Sequence, residues 1–284
     1  MIRFGPAGNS ASYDIKKGNL GIPAYLKKFG LNAYEYQCGR GVKISEASAK
    51  EFGEVAKAED IALSLHSPYY ISLSSVEKEK RDKSIDYILQ SAVAVNNMGG
   101  KRIVIHSGSS AKMSREEATS LAKDTLKRAM AVLDENNLSH IICCPEVMGK
   151  INQLGSLEEV MELCAVDERF LPCVDFGHLN ARTFGGLSGI DDFAKVLDIM
   201  ENALGYERMR VFHAHFSKIE YTLKGGEKKH LTFEDREFGP NFEPLAELLV
   251  KRNCEPTIIC ESAGTQAEDA MKMKVMYERA KEEE

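Results

Sequence analysis

Histidines and carboxylates in this sequence repeatedly follow short apolar runs. The stretch CVDFGHLNAR (173–182) places Asp175 and His178 three positions apart, directly behind a run that is typical of a buried strand. Neutral imidazoles and carboxylates are the ligands expected for zinc or manganese. The two side chains are therefore candidates to bind one metal ion or two different ions, and the alternative is a core aspartate beside an unrelated histidine.

The same placement recurs along the chain. Further candidates are His66, His106, Glu146, His213, His215 and Glu261, and His230 follows in a long polar segment. Burying several carboxylates together without cations is costly, because the charges repel one another and lose their hydration. The set therefore predicts a metal cluster. Because a carboxylate such as Glu146 can bridge two ions, we expect two or three Zn2+ ions, with Mn2+ as the alternative.

Two of these histidines share one strand. His213 and His215 are two residues apart, so both side chains point to the same face of that strand. His215 lies nearer the strand end and is the better ligand, while His213 is expected to support it. His140 opens its run instead of ending it, so we expect it at the opposite face of the fold.

The elements that must position these side chains alternate along the whole chain. Strand-like runs lie at 2–5, 32–37, 61–66, 102–108, 140–146, 170–177, 210–216 and 256–262. Amphipathic helical segments lie between them, for example at 45–59, 83–99, 115–137, 190–204 and 267–284. Strict alternation over this length predicts a single α/β domain, 1–284, folded as a (β/α)8 TIM barrel. A doubly wound open sheet is the alternative, but no GxGxxG motif follows the first strand.

In such a barrel the carboxyl ends of all strands open onto one face, where active sites are built. We therefore expect the candidate ligands to meet at the C-terminal face of the strands. One connection, 217–240, is long, polar and charged. A segment of this length in a compact domain is more often a functional loop than slack chain.

Composition narrows the class of protein. The 284 residues are 43% hydrophobic and carry a formal net charge of -6, unlike a protein that coats nucleic acid nonspecifically. A local cationic face or bound metal would still allow contact with DNA. No apolar run reaches the roughly 18 residues that span a bilayer, and the N-terminus lacks the layout of a secretory signal. The seven cysteines have no regular spacing, which fits a reducing cytoplasm better than a disulfide framework. We also expect a monomer without membrane contact.

Seven motifs together resemble those of a known family. They are SLHSPYYISL, IVIHSGS, CCPEVMGK, CVDFGHLNAR, HAHFSK, GEKKHL and IICES. In this order they are similar to the endonuclease IV family of apurinic/apyrimidinic endonucleases, within the xylose-isomerase-like barrels, over nearly the whole chain. The resemblance implies a first zinc ion on His66, His106 and Glu146. It also implies a second on Glu146, Asp175, His215 and Glu261, and a third on His178 and His230.

The chain departs from the family pattern in several places. The aspartate expected beside His230 falls on Lys228, and Glu227, Glu234 or Asp235 would have to replace it. The first strand continues as FGPAGN and lacks the histidine that is usual in the family. The segment after the bridging glutamate reads EVMGK instead of the family's sequence. The usual Gly-Glu-Gly is also missing, and FGPNF is the stretch nearest to it. These departures indicate a divergent branch of the family.

Two residues match family positions that contact DNA. Tyr69 matches the aromatic residue that enters the duplex beside the lesion, and Arg40 matches the arginine that probes the groove. An arginine and an aromatic ring on neighbouring loops suit insertion into a base stack and phosphate contact. The alternatives are a tyrosine packed over the barrel mouth and a solvated loop charge. The long loop could add a cationic face through Lys218, Lys224, Lys228, Lys229 and Arg236.

The resemblance implies incision of double-stranded DNA on the 5′ side of abasic sites by metal-activated water. Glu146 and Glu261 are the expected catalytic carboxylates that orient this water. The main alternative is a sugar isomerase or epimerase of the same superfamily, which would hold one divalent metal on Glu146, Asp175, His215 and Glu261. A third hypothesis, a noncatalytic protein with a degenerate metal site, depends on Lys228 alone.

Overall fold

Eight parallel strands close into a barrel in the computed structural model, which describes residues 1–111 and 113–284. These strands are β1 (Arg3–Pro6), β2 (Ala33–Gln37), β3 (Ala62–His66), β4 (Arg102–Ile105), β5 (Ile142–Pro145), β6 (Cys173–Asp175), β7 (His213–Phe216) and β10 (Thr257–Cys260). Parallel ladders run in the orders β1, β10, β7, β6 and β2, β3, β4, β5. Single parallel bridges, Ala7 to Glu35 and Glu146 to Cys173, join the two ladders into a ring. The expected TIM barrel is confirmed.

Helices follow the barrel strands and pack on their outer surface. They are α1 (Ile22–Lys27), α2 (Glu46–Ala58), α3 (Lys78–Asn97), α4 (Arg115–Glu135), α5 (Leu157–Cys164), α6 (Phe176–Arg182), α7 (Ile190–Leu204), α8 (Tyr206–Met209), α9 (Glu243–Lys251) and α10 (Gln266–Glu283), with short 3-10 helices at Ile15–Lys17 and Asn19–Gly21. Capping boxes fix the starts of α4 and α5, where Ser114 pairs with Glu117 and Ser156 with Glu159. No helix in the described part of the chain is long and apolar enough to cross a membrane.

The core lies between the barrel and its helices and is rich in phenylalanine. The phenylalanines that are almost completely buried are Phe4, Phe52, Phe170, Phe176, Phe193, Phe212, Phe216 and Phe242. Arg102, the first residue of β4, donates to the carbonyl oxygens of Val211 (2.9 Å) and Phe212 (3.3 Å), just before β7. His140 lies at this same amino-terminal end, exposed and 2.8 Å from Asn96, as its position in the sequence predicts. The amino-terminal end is therefore held by structural contacts.

The long segment between β7 and β10 is more ordered than its sequence indicates. It contains an antiparallel hairpin of β8 (Ile219–Thr222) and β9 (Gly226–His230). These strands are short and largely polar, so they lack the apolar alternation by which strands are recognised. Lys228 and Lys229 both pair with Glu220 on the neighbouring strand. This pairing reduces the cationic face expected for the segment.

Gly5 lets β1 and β2 approach closely beside the bridge that closes the barrel. A Cβ atom at this position would lie 1.9 Å from the carbonyl oxygen of Ala33. We expect Gly5→Ala to lower the free energy of unfolding by about 1–3 kcal/mol or more, because the strands must separate. Gly189→Ala is the control, since an added Cβ meets nothing within 4 Å there. Equal urea midpoints for the two variants would contradict the expectation.

Candidate metal centre

The carboxyl ends of six neighbouring barrel strands converge on one pocket. The residues placed there are His66, His106, Glu146, Asp175, His215 and Glu261, at or just beyond the ends of β3, β4, β5, β6, β7 and β10. His178 joins them from α6, and His230 joins them from the end of β9. The potential metal-binding atoms of Glu146, Asp175, His215 and Glu261 lie within 4.8 Å of one another. The same holds for the group of His66, Glu146 and His215. It also holds for the group of His178, His230 and Glu261. The eight predicted ligands therefore form one cluster.

Glu146 lies at the centre of this cluster and is buried. Its Oε2 atom is 3.3 Å from Nε2 of His66 and 3.1 Å from Nε2 of His106. Its Oε1 atom is 3.1 Å from Nδ1 of His215 and 3.5 Å from Nδ1 of His178. The two oxygens thus face different sets of imidazoles, which is the arrangement of a carboxylate able to bridge two ions.

The three-residue spacing of Asp175 and His178 is the spacing of a helix cap. Asp175 is the N-cap of α6, and its Oδ1 atom accepts a hydrogen bond of 2.7 Å from the backbone N–H of His178. Its Oδ2 atom is buried and has no hydrogen-bond partner among the described residues. Nδ1 of His178 lies 3.1 Å from Oδ2 but donates to the carbonyl oxygen of Val147, at 3.0 Å. One carboxylate oxygen is thus held by the helix, and the other faces the pocket.

Glu227 lies beside His178, next to the group formed by His178, His230 and Glu261. Its Oε2 atom lies 3.5 Å from Nε2 of His178, and Nε2 of His230 lies 3.9 Å from Glu261. Of the three carboxylates considered from the sequence, Glu227 is the one beside these histidines. Glu234 pairs instead with Lys272 at 2.7 Å, and the Asp235 carboxylate accepts the N–H groups of residues 237 and 238.

A close backbone contact holds Glu227 in place. Gly226 begins β9, and a Cβ atom there would lie 2.3 Å from the carbonyl oxygen of Gly149. A Cβ atom on Gly149 would in turn lie 2.6 Å from Cβ of Glu227. The backbone N–H of Glu227 donates to the carbonyl oxygen of Gly149 at 3.1 Å. The hairpin can therefore approach the loop after β5 only because both positions are glycine.

The electrostatics of the pocket follow from carboxylates buried among imidazoles. Burial alone would raise the pKa of Glu146, but hydrogen bonds from the surrounding imidazoles hold it well below its usual range. Burial raises the pKa of Asp175, and the nearby Glu261 and Glu146 charges add to that rise. Burial would lower the pKa of His66, but the Glu146 carboxylate raises it to about 9. The pocket therefore favours positive charge, which protons or metal ions can supply.

Tyr69 and Arg40 lie on neighbouring loops outside this cluster. The backbone N–H of Tyr69 lies 3.4 Å from the carbonyl oxygen of Gly39, the residue before Arg40. The Tyr69 ring is 58% exposed and packs at 5.6 Å from the ring of Tyr70, and Arg40 is also exposed. Both side chains are therefore accessible to solvent.

One functional residue was missed by the motifs. Glu35, in the middle of β2, is fully buried, and its carboxylate lies 2.9 Å from Ser64 Oγ, from His213 Nε2 and from His215 Nε2. Burial alone would raise the pKa of Glu35, but the His215 and His213 rings hold it well below its usual range. Burial lowers the pKa of His213 to about 4. The available signal was a carboxylate between Tyr34 and Tyr36, on the opposite face of the strand from both.

Comparison with known proteins assigns the family. A family model described as xylose isomerase-like TIM barrel matches residues 23–278. The chain belongs to this family. An uncharacterised protein from Methanocaldococcus jannaschii is 35% identical to this xylose isomerase-like barrel over 278 residues, which is 98% of each chain.

More distant matches bear names that describe enzymes. A probable endonuclease 4 of Acholeplasma laidlawii is 28% identical over 187 residues, 63% of this chain and 60% of that protein. The structure of endonuclease IV from Thermus thermophilus matches with a TM-score of 0.71 and 20% identity, covering 99% of this chain and 100% of that one. A D-tagatose 3-epimerase-like protein matches with a TM-score of 0.75 and 15% identity over 99% of both chains. The resemblance to endonuclease IV is confirmed as a distant one, and the structural matches at these identities show the barrel fold alone.

The ionised carboxylate of Asp175 should lower the folding stability of the metal-free protein. A raised pKa for a folded-state carboxyl means that its ionised form costs stability at neutral pH, and that this cost disappears as the pH falls below the unfolded value. We therefore expect Asp175→Asn, which keeps an oxygen for the helix cap, to raise the melting temperature in chelator by about 2–4 °C for roughly 1 kcal/mol gained.

Asp86→Asn, at an exposed position in α3, is the matched control and should leave the melting temperature unchanged. Added Zn2+ should stabilise the unsubstituted protein more than Asp175→Asn. A lower melting temperature of Asp175→Asn in chelator would contradict the electrostatic argument.

Proposed function

We propose that this chain is a metal-dependent phosphodiesterase that incises double-stranded DNA on the 5′ side of abasic sites. The proposal depends on the number of potential metal-binding side chains in the cluster. His66 and His106 extend the cluster on one side of Glu146, and His178 and His230 extend it on the side of Glu261. A sugar epimerase of the same barrel requires one divalent metal with four ligands, so it would leave these four imidazoles without a ligand role.

The residues present fit a metal cluster. The buried Oδ2 atom of Asp175 lacks a hydrogen-bond partner, as a ligand oxygen does before its ion binds. The Nδ1 atoms of His66 and His178 donate to backbone carbonyl oxygens, at 2.9 and 3.0 Å, which leaves each Nε2 free to bind an ion. We assign a first ion to His66, His106 and Glu146, a second to Glu146, Asp175, His215 and Glu261, and a third to His178, His230 and Glu227. Bound zinc or manganese would activate water and stabilise the charge on the phosphate oxygens.

The chain's own carboxylates would position the attacking water. Glu261 lies at the mouth of the pocket, with 15% of its side chain exposed, and Glu146 lies behind it. Their oxygens can accept hydrogen bonds from a water molecule and hold it in line with the scissile phosphorus. The leaving 3′ oxygen would depart toward the opposite side of the pocket. No protein nucleophile is required.

Tyr69 and Arg40 support DNA as the substrate. An exposed aromatic ring beside an exposed guanidinium suits insertion into a base stack and contact with a phosphate. An abasic nucleotide is readily rotated out of the duplex, because it has no base to unstack. We infer that the exposed Tyr69 ring fills the space that the displaced nucleotide leaves, while Arg40 holds the backbone.

A sugar epimerase is the second candidate. It is favoured by the structural match to a D-tagatose 3-epimerase-like protein and by the compact group of Glu146, Asp175, His215 and Glu261. Those four residues could hold one divalent ion, and Glu146 and Glu261 could move a proton on and off a sugar carbon. Such an enzyme would bind one ion per chain.

We expect the purified protein to bind two or three Zn2+ ions per chain and to incise an abasic-site duplex, with activity lost in chelator and restored by Zn2+ or Mn2+. Glu261→Gln should lower the incision rate by about 100-fold or more, because the water loses a positioning carboxylate. Elemental analysis and gel-resolved incision measure the two properties.

Tyr69→Ala tests DNA contact separately from metal binding. This variant should bind the same number of ions but should no longer incise the abasic-site duplex. Tyr25→Phe, on the outer surface at α1, should change neither property. If the protein binds one ion per chain and converts a ketose, the nuclease proposal is wrong and the epimerase is correct.

Binding of the third ion should depend on Glu227. We expect Glu227→Gln to lower the zinc content by one ion per chain at limiting zinc, because the proposed third ion loses the hairpin carboxylate that lies beside His178. Glu234→Gln is the matched control on the same segment and should leave the count unchanged. An unchanged count in Glu227→Gln, or an equal loss in both variants, would exclude the assignment.

A further inference from the structure

Glu35 links two strands that face each other across the barrel. It lies in β2, whereas His213 and His215 lie in β7, which pairs with β6 and β10 instead. The Glu35 side chain therefore extends through the barrel interior, one layer beneath the candidate metal centre. Both of its oxygens end on β7 histidines: Oε2 lies 2.9 Å from Nε2 of His213, and Oε1 lies 2.9 Å from Nε2 of His215.

His215 is held between this carboxylate and the cluster. Its Nε2 atom faces Glu35, while its Nδ1 atom faces Glu146 at 3.1 Å and Glu261 at 3.5 Å. A carboxylate beside one ring nitrogen favours a proton on that nitrogen. With an ion bound among Glu146, Asp175 and Glu261, Nε2 would keep its proton toward Glu35 and Nδ1 would offer its lone pair, which is the form in which an imidazole binds a metal ion.

We propose that Glu35 is a positioning residue that fixes the ring of His215 and directs its Nδ1 atom to the metal ion. This inference rests on the metal centre proposed above. It adds a residue that contacts neither the ion nor the substrate. Because Oε1 lies off the Nε2–H direction, the link to His215 is an ion-pair contact, and the well-aligned hydrogen bond of Glu35 is the one to His213.

Two neighbours hold the Glu35 carboxylate in this orientation. The hydroxyl of Ser64, on the adjacent strand β3, donates to Oε2 at 2.9 Å. Nε2 of His213 donates to the same oxygen, also at 2.9 Å. Oε2 is thus occupied by two donors, while Oε1 lies 2.9 Å from Nε2 of His215 and accepts a longer hydrogen bond of 3.4 Å from Nε2 of Gln37. His213, which the sequence predicts as a supporting residue, therefore acts on His215 through Glu35.

Packing alone gives a poor account of this network. A buried carboxylate loses its hydration, and replacing buried ionic groups with apolar residues of similar volume is often neutral or stabilising. For packing alone, the position of Glu35 could be filled by Val or Leu, as barrel interiors usually are. A carboxylate kept at this depth, with an oxygen placed against a candidate ligand, is accounted for by a role in orienting that ligand.

Glu35→Gln tests the proposal with an almost isosteric change. We expect its affinity for Zn2+ to fall about 10- to 100-fold, the usual effect of removing a carboxylate that orients a metal-binding histidine. Competition with a chromophoric chelator measures this affinity without reference to catalysis. Glu159→Gln is the control, because it removes a buried carboxylate that pairs with Arg115 and caps α5. It should lower thermal stability but leave zinc affinity unchanged.

The outcomes separate the proposal from the proposed function. If the unsubstituted protein binds no zinc, both the proposed function and the positioning role of Glu35 are wrong. Zinc bound equally tightly by the unsubstituted protein and Glu35→Gln, with only the melting temperature changed, would overturn the positioning role alone. An equal loss of affinity in Glu159→Gln would also overturn it.

A measurement on the unsubstituted protein covers the case in which Glu35→Gln does not fold. In 15N-histidine spectra of the zinc-loaded protein, the His215 signals can be assigned by their absence from His215→Asn. We expect a proton on Nε2 of His215 and none on Nδ1. A proton on Nδ1 with the ion on Nε2 would overturn the proposal.

Discussion

Three carboxylates, Glu146, Asp175 and Glu261, share one buried pocket, and their mutual repulsion is the constraint to which the rest of the site responds. Charges at this depth are screened poorly and have lost their water, so each must be matched by nearby positive charge. The imidazoles around Glu146 supply part of it when protonated. A closed barrel can meet such a demand because six neighbouring strands end at one place, and each contributes one side chain on a rigid backbone.

The fold was accessible from the sequence because strand and helix alternate without interruption. The ligands were accessible for a related reason: a histidine or carboxylate at the end of a parallel strand must lie on the same face as its counterparts. His66, Glu146 and Asp175 were therefore placed by local patterns alone. Their distances and hydrogen-bond partners required the three-dimensional structure.

The residues that sequence patterns did not find depend on long-range geometry. Glu35 contacts His213, 178 positions away, by crossing the barrel, and no local pattern records which side chain lies opposite. Glu227 was one of three candidates until the approach of Gly149 and Gly226 brought it to His178. The hairpin itself has too little apolar alternation to be predicted, and its position depends on contacts with α6 and the loop after β5.

The barrel alone does not determine the chemistry, since nucleases and epimerases share it. The group of Glu146, Asp175, His215 and Glu261 could serve either reaction. The distinguishing features surround that group: imidazoles that extend the donor set, and an aromatic ring and guanidinium exposed at the rim.

Asp175 illustrates how helix formation and ligand chemistry can use one side chain. With Oδ1 engaged by the first turn of α6, the carboxylate cannot rotate, and a single oxygen remains for an incoming ion. An ion bound at this group would therefore gain only one bond from Asp175, and the rotamer entropy of that side chain is lost during folding, before any ion could bind. Histidine and cysteine offer no pair of equivalent acceptors, so neither could take over both duties at this position.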